Sequence, residues 1–120
     1  MGVTHVAVSL RVPATANGGY DALFLVDTGA TDSMAPAAAL AQAGIHPIGK
    51  MTYELADGTL HQYPFALAQI EFMGEITSGR IIFGPENSEP LLGVTALESV
   101  GMMVDPANQR LKRLPAVPLK

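Results

Sequence analysis

The stretch Leu23-Phe24-Leu25-Val26-Asp27-Thr28-Gly29-Ala30 decides the reading of this chain. Four apolar residues run directly into an acid, as in a buried strand that ends in a carboxylate. Gly29 lets the backbone turn tightly beside that acid, and the Thr28 hydroxyl can tie the turn down. The pattern describes a rigid, deliberately placed acid. Average residue usage produces an Asp-Thr-Gly triplet by chance in roughly one chain in fifty of this length, so the setting must decide what it means.

Upstream, His5 to Val12 alternates, with Val6, Val8, Leu10 and Val12 on one face, and predicts a half-buried strand. Pro13 to Gly19 is a turn region, and Tyr20 to Val26 returns as the strand that delivers Asp27. Downstream, Pro36 followed by an Ala-rich run and closed by Gly44 predicts a short helix, expected to pack under the acidic loop. Lys50 to Leu55 and Leu60 to Phe65 flank Ala56-Asp57-Gly58-Thr59, a strong hairpin signal, and Pro64 places its strand at an edge. Ala66 to Phe72 and Ile76 to Phe83 predict a further antiparallel pair around Met73-Gly74-Glu75.

After the loop Gly84 to Pro90 comes Leu91-Leu92-Gly93, then Thr95-Ala96-Leu97-Glu98, whose spacing is that of a capping box with Thr95 as N-cap and Gly101 ending the helix. Met102 to Val104 and Gln109 to Leu114 flank a turn at Pro106-Ala107-Asn108, and residues 114–120 read as an extended tail. Apolar strand, Gly-bearing turn, short helix and hairpin thus occur around Asp27 and again around Gly93, without an acid the second time. A duplicated half-lobe would explain the echo.

The 120 residues make one domain, residues 1–120, all-β and mostly antiparallel with one or two short helices. With 48% hydrophobic and only 15% charged residues the chain is more apolar than a small monomer requires, which points to a second copy covering part of it; a tightly packed, Ala-rich β domain is the plainer account. A net charge of -4 argues against a nucleic-acid partner, and the late basic residues Arg110, Lys112, Arg113 and Lys120 read as a solvated strand face and tail. With no cysteine, thiolate catalysis and Cys-ligated zinc are excluded, and His5, His46 and His61 have no metal spacing, so no metal or other cofactor is expected. No segment reaches the ~20 apolar residues of a membrane span, so no membrane partner is expected and the default is a soluble cytoplasmic protein.

In this order the residues resemble the retropepsin-like aspartic proteases, the single-lobed relatives of pepsin, and in particular their soluble bacterial branch. Three features carry the resemblance: the apolar strand into Asp27-Thr28-Gly29-Ala30, the Asp57-Gly58 hairpin where the family has its flap, and Leu91-Leu92-Gly93 before a short helix. The resemblance implies an acid-protease barrel with one lobe per chain and a homodimer in which two Asp27 carboxyls form the catalytic dyad. It implies that Thr28 braces the partner's loop and that Gly29, with Ala30, binds substrate backbone. Ala56, Asp57, Gly58 and Thr59 would close over a peptide or protein substrate as the flap, and Leu91, Leu92 and Gly93 would support the site from behind.

Two positions depart from the viral pattern. Thr31 and Val94 stand where viral relatives often carry an acid and an Arg, so that interface ion pair is absent. Asp32 reads as a loop-capping Asp in preference to a substrate contact. Phosphoryl-transfer aspartates are a poor match, because the second acid or the Lys they need is missing from this loop. No Gly-x-Ser-x-Gly elbow or phosphate loop occurs. The alternative of a different class is a catalytically weak or silent dimer of the same fold that acts as a peptide-binding or scaffolding module, since fold alone does not establish turnover.

Overall fold

Alternation along the first strand sets the wall of the molecule. In a computed structural model describing residues 3–12, 19–117 and 119, β1 (His5–Arg11) turns Val6, Val8 and Leu10 inward and leaves His5 and Ala7 exposed. β1 pairs antiparallel with β2 (Gly19–Asp27), in register Val6↔Phe24 and Leu10↔Tyr20. The turn expected at Pro13 to Gly19 lies outside the described residues but for Gly19 itself. Phe24 is fully buried, and burial of such a side chain contributes about 1.5–3 kcal/mol.

The remaining elements are β3 (Ser33–Pro36), α1 (Ala37–Gln42), β4 (Gly49–Glu54), β5 (Leu60–Phe72), β6 (Glu75–Gly84), β7 (Leu91–Gly93), α2 (Val94–Ser99), β8 (Met102–Asp105) and β9 (Arg110–Arg113). The main sheet runs β1-β2-β7-β3-β6-β5-β4, and β1 also pairs with β5 at Ser9↔Glu71 through Arg11↔Gln69. That second pairing closes six strands into a barrel and removes the exposed edges an open sheet would leave. β4 stays outside the closure, and among the described residues it bonds only to β5. Leu10, Phe24, Leu40, Ile45, Ile81, Leu92 and Leu97 fill the core.

Several expectations change in three dimensions. The strands expected at Leu60 to Phe65 and Ala66 to Phe72 are one strand, β5, and it is interior to the sheet order rather than an edge. Pro64 is tolerated because pairing with β6 begins only at Phe65↔Ile82, so its missing N–H falls where β5 has a single neighbour. β3 carries no strand signal of its own; it forms by pairing parallel with β6 over Ser33↔Ile81 to Pro36↔Gly84 and touching β7 at Met34↔Leu91.

The Ala-rich helix α1 follows Pro36 and ends before Gly44, whose φ of 81° suits glycine. It packs on β3 and β6, because the four residues of β3 carry the chain away from the acidic loop. The helix under that loop is α2. Its expected capping box does not form: Gly93 is the N-cap and no side chain caps the helix. Instead the Val94 N–H donates to Ala30 O at 2.8 Å and the Thr95 N–H to Thr31 O at 3.1 Å, so carbonyls of the acidic loop do the capping.

The echo between the two halves has a spatial counterpart. β2 and β7 lie side by side and parallel, with Val26 opposite Leu92 and Asp27 opposite Gly93. They diverge afterwards, since β2 reaches α1 through a turn and β3 while β7 runs directly into α2. β8 and β9 form a separate two-stranded sheet with Met102 and Leu111 buried. Arg110 and Lys112 share its solvated face, whereas Arg113 points to the other side, donating to Met73 O and lying 3.5 Å from Glu75 Oε2, and Lys120 lies outside the described residues. No regular element covers the described residues after Arg113.

Candidate active site

Asp27 is the last residue of β2, and its position follows from that strand being clamped. The Leu25 N–H donates to Pro90 O at 2.9 Å and the Val26 N–H to Thr4 O at 2.8 Å, which hold the strand to its end. The turn then closes locally: the Ala30 N–H donates to Asp27 O at 3.1 Å, and the Gly29 N–H donates to Asp27 Oδ1 at 3.0 Å. The second bond orients the carboxyl, which stays half-exposed.

Behind the loop, two chain segments cross almost in contact. A Cβ on Gly93 would lie 2.6 Å from the Asp32 carbonyl carbon and 2.8 Å from Thr31 O. The Gly93 N–H donates to the buried Ser33 Oγ at 3.0 Å. Leu92 is fully buried beneath. Leu91, by contrast, lines the cleft in front of Asp27 rather than packing behind the loop.

That cleft has a volume of about 410 Å³. Its floor is the loop from Asp27 to Asp32, its walls include Met34, Ile82 and Leu91, and its roof is the hairpin β4–β5, through Tyr53, Glu54, Leu55 and Ala56. Of the four residues expected to form the flap, Ala56 reaches the cleft. Asp57, Gly58 and Thr59 build the tip: the Gly58 N–H donates to Leu55 O at 2.9 Å and the Leu55 N–H to Thr59 O at 2.8 Å, with Gly58 at φ 86°. This is a three-residue loop closed by a left-handed glycine. Asp57 Oδ1 accepts from the Thr59 hydroxyl at 2.7 Å and from the Thr59 N–H at 3.0 Å, which holds its carboxyl below the usual range.

Among the described residues, no backbone N–H of its own loop donates to the Asp32 carboxyl, which is expected from sequence to cap that loop. Asp32 Oδ2 accepts a hydrogen bond from the Tyr53 hydroxyl at 2.6 Å, joining floor to roof. Burial first, then the Asp32 carboxylate, pushes the Tyr53 phenol well above its ordinary value, so the hydroxyl remains a donor. Sequence reading missed Tyr53. The one signal for it was alternation on the strand leading to Asp57-Gly58, which places Tyr53 and Leu55 on a shared face.

Thr28 points away from the cleft. It is exposed and lines a second hollow of about 550 Å³, whose apolar wall includes Val94, Leu97, Met103, Leu114 and Val117. The three histidines are dispersed: His5 Nε2 lies 2.7 Å from Glu89 Oε2, His61 stacks on Tyr63, and His46 is exposed. Among the described residues no group of three His, Asp or Glu is placed to hold a metal ion.

A closed six-stranded barrel, with an acid at the end of one strand and a hairpin roofing it, defines a retropepsin-like acid-protease lobe. The family model described as aspartyl protease matches residues 12–96, from the end of β1 into α2, and the chain belongs to that family. The matched span holds the Asp27 loop, the β4–β5 hairpin and Leu91-Leu92-Gly93. No curated protein is significantly similar to the chain.

Proposed function

We propose that the protein is an aspartic endopeptidase that works as a homodimer, with the Asp27 carboxyls of two chains sharing one proton. The observation that carries this reading is the single half-exposed Asp27, oriented by the Gly29 amide at the floor of a roofed cleft. A peptide carbonyl is a poor electrophile and water a poor nucleophile, so cleavage needs a base and an acid on opposite sides of the attack. One lobe supplies one such acid. Two like-charged carboxyls in contact cannot both ionise readily, so a symmetric pair divides into those two roles.

In this mechanism the ionised Asp27 takes a proton from a bound water as the water attacks the scissile carbonyl. The protonated Asp27 of the second chain gives its proton to the developing oxyanion. As the C–N bond breaks, the proton taken from water passes to the leaving amine, and one hydroxyl proton of the hydrate returns to the second carboxylate as the acid product forms. No covalent intermediate forms, and the titration belongs to the pair. The hairpin β4–β5 covers an extended substrate and excludes water. The apolar cleft walls Met34, Ile82 and Leu91 favour hydrophobic side chains beside the scissile bond.

Thr28 and the apolar hollow beside it support placing the second chain on the face formed by α2, β8 and the segment at Leu114 to Val117. Sedimentation at micromolar concentration is therefore expected to give a dimer, and a strictly monomeric active enzyme would sink the shared-proton mechanism. No helix among the described residues is long and apolar enough to cross a membrane, and a cytoplasmic site of action is part of the proposal.

Gly29→Ala separates positioning from folding. A Cβ there would meet only Asp27 Oδ1, at 3.3 Å, in an otherwise open turn. The expected stability cost is under about 1 kcal/mol, read from thermal melting, because no packed core is disturbed. Peptide turnover should nevertheless fall by roughly tenfold or more, because misplacement of a reacting group by a fraction of an ångström is costly.

A further inference from the structure

The roof over the cleft is an arm with little else to hold it. Among the described residues β4 bonds only to β5, and from Leu60 to Pro64 β5 bonds only to β4, because the β6 register begins at Phe65. An isolated two-stranded hairpin is marginal in water, so this arm would swing about Pro64 and Phe65 unless something fixes it. Among the described residues, one side-chain hydrogen bond runs from the arm to the barrel: Tyr53 hydroxyl to Asp32 Oδ2, at 2.6 Å across 21 positions of sequence.

Both ends of that bond are braced. On the arm, the Tyr53 ring is tilted against Tyr63 at a centroid distance of 6.4 Å, and Tyr63 in turn stacks with His61 across 6.1 Å. On the barrel, the Asp32 backbone lies hard against Gly93, and its neighbour Ser33 accepts the Gly93 N–H. Gly93 stands in register with Asp27. A continuous path of contacts therefore links the roof to the strand pair that carries the acid.

We infer that Tyr53 is a positioning residue which, by donating to Asp32, fixes the β4–β5 arm over the cleft and ties it to the loop that carries Asp27. A hydroxyl on a carboxylate is a charge-assisted bond, stronger than a neutral one, and here it joins two residues that line the cleft. The arm is held near its covering position before any peptide arrives, so less ordering is left for the binding step. The latch itself stands on geometry; its effect on turnover rests on the protease reading above.

The chain has no cysteine, so paired spin labels can be introduced cleanly. Labels at Leu60→Cys, 68% exposed on the arm, and Gln42→Cys, exposed on α1, would report the distance from arm to barrel in labelled chain diluted into unlabelled chain. The expected result is one narrow distance population, broadened and shifted by Tyr53→Phe or Asp32→Ala and retained in Asp32→Asn, whose amide oxygen still accepts. In unlabelled protein, Tyr53→Phe should raise KM by about tenfold, the scale of a lost hydrogen bond to a charged group, and leave kcat within about twofold.

An identical distance distribution in Tyr53→Phe overturns the latch. A broadened distribution with an unchanged KM overturns its part in substrate binding. Broadening in a protein that cleaves no peptide leaves the latch standing and strikes only the protease assignment.

Discussion

Asp27→Asn is expected to remove peptide hydrolysis while leaving the fold intact. Turnover should fall by a factor of roughly 10³ or more, because general acid and base catalysis contribute about 10²–10⁴ each and the substitution removes both from a symmetric pair. The fold should survive for a local reason. Asn has the shape of Asp, its side-chain oxygen can still accept the Gly29 N–H that now bonds Asp27 Oδ1, and the position is half-exposed, so no buried charge loses a partner. The measurement is cleavage of a broad peptide library at several acidic to neutral pH values, with the melting temperature of both proteins as control. Turnover that persists unchanged in Asp27→Asn rejects the carboxyl pair. No turnover by either protein favours the silent peptide-binding module.

Gly93→Ala is expected to have the largest effect on stability of any single methyl added near the site. The backbone at Gly93, φ −84° and ψ 167°, is open to any residue, so the effect is steric. The new methyl would sit 2.6 Å from the Asp32 carbonyl carbon, 2.7 Å from Asp32 O and 2.8 Å from Thr31 O. Those are backbone atoms, which cannot rotate aside as the end of a side chain can. Overpacking typically costs about 1–3 kcal/mol, and the upper end applies where neighbours are rigid. At this chain length the melting temperature should drop by roughly 10 °C.

The same shift would push Thr31 and Asp32 outward and carry Thr31 O away from the Thr95 N–H that it caps. Activity of Gly93→Ala should therefore fall further than the folded fraction alone explains. Wild-type melting in Gly93→Ala would show that the crossing is looser than these distances imply.

Why some elements were legible and others were not can be traced residue by residue. The Asp27 loop and the hairpin tip could be read because their demands are local. A strand needs apolar residues in sequence, Gly58 must adopt positive φ, and Asp57 finds its partner two residues away at Thr59. The end of α2 was legible for the same reason, since Gly101 takes φ 70°. The start of α2 was not. Thr95 has the spacing of an N-cap, but the helix starts earlier, with Gly93 as N-cap, because Ala30 O and Thr31 O, more than sixty positions back, accept the Val94 and Thr95 N–H groups.

β3 and Tyr53 were hidden in the same manner. Ser33 to Pro36 is too short, and too close to a proline, to announce a strand and becomes one because β6 and β7 present unpaired backbone on either side. Tyr53 is an ordinary strand residue until the arm folds over and brings its hydroxyl to Asp32. Thr28 shows the converse: its identity is plain in the triplet, yet that it faces an apolar hollow away from the cleft depends on where α2 and the segment after β9 pack.

The order of residues by itself determined the alternating first strand, the hairpin tip at Asp57-Gly58 and which acid stands at a strand's end, because φ/ψ preference and side-chain alternation act over a few neighbours. Tertiary structure alone decided that β2 lies parallel to β7, that β1 closes onto β5, that α2 rather than α1 packs under the acidic loop, and that Tyr53 reaches Asp32. Those choices join segments separated by tens of residues, and what selects among them is the burial of a shared core and the pairing of every backbone group, quantities that exist only once the chain has closed on itself.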